Sequence, residues 1–395
     1  MSLPHVIERR VASAGVAMPR ASRRRAVWGL AAQHALFAVV PVLFTIWMCR
    51  YSLGHHSFAI DFHHEFWPAA QRVLHGLTPY SRTWMNISGG VAFPYPALTA
   101  LAFGPFALLN HGVADWGFTA VNMLSALLTL WVLNVRDWRL YGLLMILWPV
   151  VLAWQAANLT LVLGLGIACL WRKRDHPLVA GALVAVMISL KPFAWPLGLW
   201  LLATRRYRAL LYAAACGLAV NAVSWAVIGF NQLHAYTQLD AAVNHVMDRR
   251  GYSIMSLVMQ LGGGRSLAYA IGIAVAALVG VACLIAGRRG NAKAALALCV
   301  AVCLLATPVL WTHYFALLIV PLALYRPRLD RVWLLMLLFY ACPGDGPRVW
   351  QIAVALATTA IVVGLLLYSP GPPASLDRRG VGTGRMPELA GSPKS

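Results

Sequence analysis

The chain has 395 residues, of which 60% are hydrophobic and only 11% charged, with a net charge of +20. A soluble domain is nearer half apolar and a quarter charged, so a soluble globular fold is excluded. The positive charge sits in short clusters between apolar blocks, the pattern of membrane loops, and nucleic-acid binding is not expected.

Residues 1–26 form a basic N-terminal segment with Arg9, Arg10, Arg20 and Arg23 to Arg25. The uncharged block 27–49 follows. Its 23 residues are enough to cross a hydrocarbon core of about 30 Å. It is too long for a signal peptide and lacks a small-residue cleavage site, so it reads as a retained first span. Twelve further apolar blocks follow, at 94–109, 115–135, 140–156, 158–171, 177–190, 192–204, 209–230, 267–286, 294–310, 313–325, 332–342 and 348–368. Block 94–109 holds Pro94, Pro96 and Pro105, and whether it crosses decides the orientation of every later loop.

Positive charge arbitrates. If 94–109 dips in and returns, 24 of the 32 Lys and Arg fall on one side with both ends of the chain; if it crosses, only 11 do. The positive-inside rule selects the first arrangement. The expectation is an all-α polytopic membrane protein of about twelve transmembrane helices, with both termini cytoplasmic, in the plasma (inner) membrane. Residues 27–368 form one domain. Residues 50–114 are a long first external loop with juxtamembrane or re-entrant helices, 231–266 a second external loop, and 369–395 a disordered cytoplasmic tail. Most of the seven cysteines lie inside apolar blocks, without metal or disulfide spacing.

This topology gathers the polar residues of interest on the outer face. Asp61 follows the first span in "DFHHEFWPAAQRVLHG", where Phe62, Phe66, Ala69 and Val73 share one stripe. Pro68 suits a first helical turn and Gly76 a terminus, which predicts a short helix over about 68–75. Asp61 is either a functional acid or a turn cap paired with Arg72. His63, His64 and Glu65 invite a metal reading, but one short segment rarely aims all its ligands to one side and HExxH spacing is absent, so no metal is expected.

Lys191, in "SLKPFAWPLGLWLL", is the only Lys or Arg at its own external turn, where the positive-inside rule disfavours one. It either snorkels or meets an anionic group such as a lipid phosphate. His313 in "WTHY" is an interfacial histidine bonded to a carbonyl or a site residue. Arg249 and Arg250 are solvated charges or second phosphate contacts. Gln155 and Asn158 either satisfy backbone groups at an external turn or reach the site. Trp67, Tyr80, Trp84, Tyr95 and Tyr252 are lipid anchors or sugar-facing rings.

The stretch from Asp61-Phe62 through Trp67 and Ala69-Ala70 to Gly76-Leu77-Thr78-Pro79-Tyr80 resembles the first-loop signature of glycosyltransferase family 87, within the C superfamily of integral-membrane glycosyltransferases. "FPYPALTALAFGPFALL", the Lys191 turn and the His313 turn are similar to its later motifs in the same order. The family often has a Tyr where this chain has Glu65 or Phe66, and a Gln-x-Asn turn where it reads Gln155-Ala-Ala-Asn158.

The resemblance implies a transferase that uses a polyprenyl-phosphate sugar, commonly an α-mannosyltransferase, acting on a cell-envelope glycolipid or glycan with no cofactor. It implies Asp61 as catalytic base, with Lys191 and His313 on the donor phosphate and Arg249 and Arg250 as further candidates. His64, Glu65, Trp67, Tyr80, Tyr95, Gln155 and Asn158 are candidate acceptor or sugar contacts. A transporter or lipid flippase is the alternative class, but it would place its polar groups at the midplane of repeated halves, and no repeat is evident. An arabinofuranosyl or other sugar is the alternative within the class.

Overall fold

The computed structural model describes residues 28–368 apart from Leu30 and Asp345; the basic N-terminal segment and the tail lie outside the described residues. The all-helical reading holds. In chain order the helices begin with α1 (Ala31–Gly54), α2 (Trp67–Leu74) and α3 (His111–Val132), then the bent pair α4 (Trp138–Ile146) and α5 (Trp148–Gln155). Next come α6 (Thr160–Lys173), α7 (Pro177–Leu190), α8 (Pro192–Ala203), α9 (Tyr207–Ile228), α10 (Gln232–Met247) and α11 (Ile254–Gln260). The chain closes with α12 (Arg265–Arg288), α13 (Ala292–Leu305), α14 (Thr312–Tyr325), α15 (Arg331–Ala341) and α16 (Val349–Tyr368). No extended strand occurs among the described residues, only one isolated bridge between Asn86 and Val91.

Five of these helices (α1, α3, α9, α12 and α16) are long and apolar enough to cross a membrane, and six if α4 and α5 count as one bent span. Twelve full-length spans are therefore not reproduced. The remaining apolar blocks form shorter helices, and a 14-residue helix such as α7 or α13 rises only about 21 Å. Block 140–156 breaks by 65°. Leu147 is extended at the break, and Pro149 in the first turn of α5 has no N–H to continue α4.

The most continuously buried stretches lie on two of the short helices. Residues 294–304 of α13 and 312–318 at the start of α14 are buried throughout. The long helices expose apolar side chains such as Leu211, Leu218 and Leu278 outward, as lipid-facing helices do. Small residues allow close packing between helices, with α7 running along α9 and α12 along α13. A Cβ on Gly181 of α7 would stand 2.6 Å from the Ala209 carbonyl oxygen of α9, so only glycine fits there.

Block 94–109 does not form a span. It folds into two short helices, Ala97–Ala102 and Gly104–Ala107, each far too short to cross. Gln71 of α2 donates to the Ala107 carbonyl, and Thr99 donates to the Leu190 carbonyl at 2.7 Å. The aromatic stripe read from the sequence anchors this region: Phe62 and Phe66 are fully buried, Phe66 stacks on Phe103 at 4.7 Å and Phe62 on Phe118 at 5.1 Å. The short helix after Pro68 is α2, and Gly76 (φ +70°) sits just beyond its end in the left-handed region that favours glycine. All seven cysteines are free.

Candidate functional site

Two backbone segments build the site. One is the exit of α1; the other is the tight turn between α5 and α6. The Ala59 N–H donates to the Gln155 carbonyl at 2.6 Å and the Asp61 N–H to the Ala156 carbonyl at 3.0 Å, while the Gln155 amide donates to the Ser57 carbonyl at 3.0 Å. Ala59 (φ +52°) and Ala157 (φ +51°) both occupy the left-handed region, which costs an L-residue roughly 1–2 kcal/mol each. Strain of this kind persists where surrounding contacts over-determine the backbone. Residues 62–66 then form a π-helical turn, a rare element often found at functional sites.

The result brings Asp61 onto Asn158. The Asn158 Nδ2 donates to Asp61 Oδ2 at 2.6 Å, and Asn158 Oδ1 accepts from Lys191 Nζ at 3.1 Å and from Thr160 Oγ1 at 3.0 Å. A carboxylate on one side and an ammonium on the other leave one sensible orientation for the amide. Lys191 takes this position because Pro192 disfavours helix at the preceding residue; its backbone is extended (φ −147°, ψ 102°) and ends α7.

Both simple alternatives for Asp61 fail. Its side chain caps no helix, and Arg72 is turned to the Thr78 carbonyl at 2.7 Å. Lys191 does not snorkel either: it is 5% exposed and enclosed by aromatic rings, with Tyr314 at 4.0 Å, Tyr95 at 5.4 Å and Phe193 at 5.5 Å. An ammonium has three N–H donors, and among the described residues only Asn158 offers this one an oxygen. His313 is buried next to Tyr314, and its Nε2 has no hydrogen-bond partner.

Glu65 and Tyr95 complete the group. The Glu65 carboxyl meets the Ala92 backbone N–H and lies within the field of Asp61 and Lys191. Burial pushes its pKa well above the usual carboxylate range, and the Asp61 charge adds to that; the Ala92 N–H and Lys191 oppose it. Burial also raises Asp61, against the Asn158 hydrogen bond and the Lys191 charge. The same desolvation pulls Lys191 down, countered by both carboxyls. Asp61 and Glu65 keep part of their surface accessible even so. Both stand part-exposed beside the buried Lys191.

The other candidates lie apart from this group. The Tyr80 hydroxyl donates to the Tyr95 carbonyl at 3.0 Å and its ring stacks on Trp225, so it braces the Tyr95 backbone. Gln155 serves backbone groups, as noted. Arg250 donates to the Ser88 carbonyl at 2.9 Å and Arg249 is exposed; neither bonds to Asp61, Glu65 or Lys191 among the described residues. His64 is exposed beside His63, and Trp67 stacks on His111 at 4.0 Å. Sequence reading missed Tyr314 and Phe193, although one adjoins His313 and the other lies two residues from Lys191. It also missed His111 and Asp115, whose i, i+4 spacing on α3 was a usable signal.

The sequence model of glycosyltransferase family 87 matches residues 93–308, more than half of the chain. The chain belongs to glycosyltransferase family 87. It is a membrane glycosyltransferase, and that membership decides against the transporter reading. The matched region contains Tyr95, Asn158 and Lys191. Asp61 and Glu65 lie upstream of it and His313 just beyond it, and the fold brings them to Asn158 and Lys191. No curated protein and no solved structure matches the chain.

Proposed function

We propose that this family 87 enzyme transfers a sugar, mannose first among the candidates, from a polyprenyl-phosphate donor to a cell-envelope glycolipid or glycan. It acts at the extracytoplasmic face of the plasma membrane, with both termini cytoplasmic. The observation that carries this reading is the Asp61–Asn158–Lys191 chain, which sets a base beside an under-used ammonium.

The reaction is a single displacement with inversion. Asp61 takes the proton of the acceptor hydroxyl as its oxygen attacks the anomeric carbon. The bond from that carbon to the phosphate oxygen breaks, and its electron pair leaves on the polyprenyl phosphate. Lys191 directs its spare N–H donors to that developing charge, and His313 Nε2 supplies a further contact. Arg249 and Arg250 are held for the donor on its approach. Glu65, whose pKa burial and Asp61 raise, hydrogen-bonds the acceptor; His64, Trp67 and Tyr95 line the acceptor side, and Tyr80 and Gln155 position the backbone. No step uses a metal or cofactor.

The decisive assay offers the purified enzyme polyprenyl-phosphate sugars and sugar nucleotides in parallel. Transfer is expected from the lipid-linked donor alone, with the product anomer opposite to the donor's. Turnover of a sugar nucleotide, or retention of the donor's configuration, would refute the reading. Replacing mannose by arabinofuranose in the same assay decides the sugar.

A pH profile tests the base. Burial raises Asp61, so the carboxylate is lost as pH falls through a value above the ordinary pKa of about 3.9. The acid limb of kcat/KM should therefore lie above the ordinary carboxylate range. Stability runs the other way: a carboxyl whose folded pKa is raised favours the folded state as pH falls through it. Activity should thus disappear on the acid side while the protein stays folded. A limb at the ordinary carboxylate value would argue against Asp61 as the base.

A further inference from the structure

A second polar cluster forms where the first loop meets the start of α3, and it shares no hydrogen bond with Asp61, Glu65 or Lys191 among the described residues. His111 and Asp115 stand one turn apart on α3, and His63 reaches them from the π-helical turn. His63 Nδ1 lies 2.7 Å from Asp115 Oδ2, and His111 Nε2 lies 4.0 Å from Asp115 Oδ1 and 3.2 Å from the His63 carbonyl oxygen. One ligand atom from each of the three residues falls within 4.8 Å of the others.

The second observation concerns the carboxylate itself. Asp115 is only 6% exposed, and its Oδ1 is buried with no hydrogen-bond partner. A buried carboxylate oxygen left unpaired is costly, and such groups in native proteins are normally paired or bound to a cation. Two imidazoles and one carboxylate make a donor set for a borderline ion, whereas calcium and magnesium prefer oxygen alone.

We propose that His63, His111 and Asp115 bind a divalent cation, zinc by the chemistry of the ligands, and that the ion clips the first loop to α3. Asp61 lies two residues before His63, so the clip fixes the turn that carries Asp61 and Glu65. Ligand atoms about 2.0–2.1 Å from a tetrahedral zinc stand about 3.3 Å apart. The 2.7 Å His63–Asp115 hydrogen bond therefore opens as the ion replaces its proton. The His63 and His111 rings, stacked at 3.8 Å, rotate so that their nitrogens converge. Trp67, stacked on His111 at 4.0 Å, limits that ring from behind. A water takes the fourth position.

The test uses the full chain in detergent, stripped with a chelator and titrated with zinc alone. One saturable equivalent is expected, together with a rise in melting temperature. His111→Ala and Asp115→Ala should each weaken that equivalent at least about tenfold and remove the melting shift, while His75→Ala on α2's far end should change neither. X-ray absorption at the zinc edge of the native protein, which needs no variant to fold, should show imidazole scattering. Absence of a saturable equivalent, unchanged affinity in both variants, or a ligand shell without imidazole overturns the proposal.

Discussion

Asp61→Asn is expected to lower transfer by about a hundred- to ten-thousand-fold, the range over which a positioned general base acts. That corresponds to roughly 3–5 kcal/mol of barrier at about 1.36 kcal/mol per decade. The substitution keeps size and shape and can still accept the Asn158 hydrogen bond through its remaining oxygen. What it loses is the site for the acceptor proton. It also removes one of two carboxyls that oppose the desolvation of Lys191, so the lysine gives up its proton more readily until the donor phosphate binds beside it and supplies the opposing charge.

The fold should therefore survive, as judged by monodispersity and melting, with donor binding retained. Asp61→Glu is the informative companion. It restores a base but pushes the carboxyl one methylene toward Asn158, at a site where misplacement alone is costly. A partial rescue by Glu with none by Asn points to proton transfer. Near-native turnover by Asp61→Asn would remove Asp61 from the mechanism and leave Glu65 as the carboxyl to test next.

The sequence made much of this site legible residue by residue, but not how the residues connect. Asp61, Lys191, His313 and Asn158 each stood out as polar residues at the edge of apolar blocks, and hydropathy located those blocks well. The Asn158 bridge was invisible, because a 97-residue gap separates it from Asp61 and no local pattern encodes the pairing. The left-handed alanines at 59 and 157 were equally silent, since alanine carries no preference for that backbone. Hydropathy registers an apolar block without registering helix length: five helices are long and apolar enough to cross, while a 14-residue helix rises only about 21 Å. At 94–109 it was the distribution of Lys and Arg, not hydropathy, that argued against a crossing, and the block folds into two short helices.

Lys191→Ala carries the second large effect. Removing one preorganised donor from a developing oxyanion typically costs about a hundred- to a thousand-fold in turnover, and the same loss is expected here, concentrated in the use of the donor. Two accounts of the lysine make different predictions. If it only neutralises the buried carboxyls, its loss raises Asp61 further, because the Lys191 charge is one of the two influences holding that pKa down. Activity would then recover as pH rises, with the acid limb displaced upward and the plateau near native. If it stabilises the leaving phosphate, the limb also moves but the plateau stays low at every pH.

A donor whose leaving phosphate is made more acidic by electron-withdrawing substitution needs less help, so it should lose less activity in the variant than the natural donor does. Lys191→Arg should not restore the native rate. The ammonium fits among Tyr95, Phe193 and Tyr314 with one oxygen partner, and a planar guanidinium cannot repeat that geometry in an enclosure of the same size. A native plateau in Lys191→Ala, together with equal losses for both donors, would reduce Lys191 to a counter-ion and move the phosphate contact to His313 Nε2.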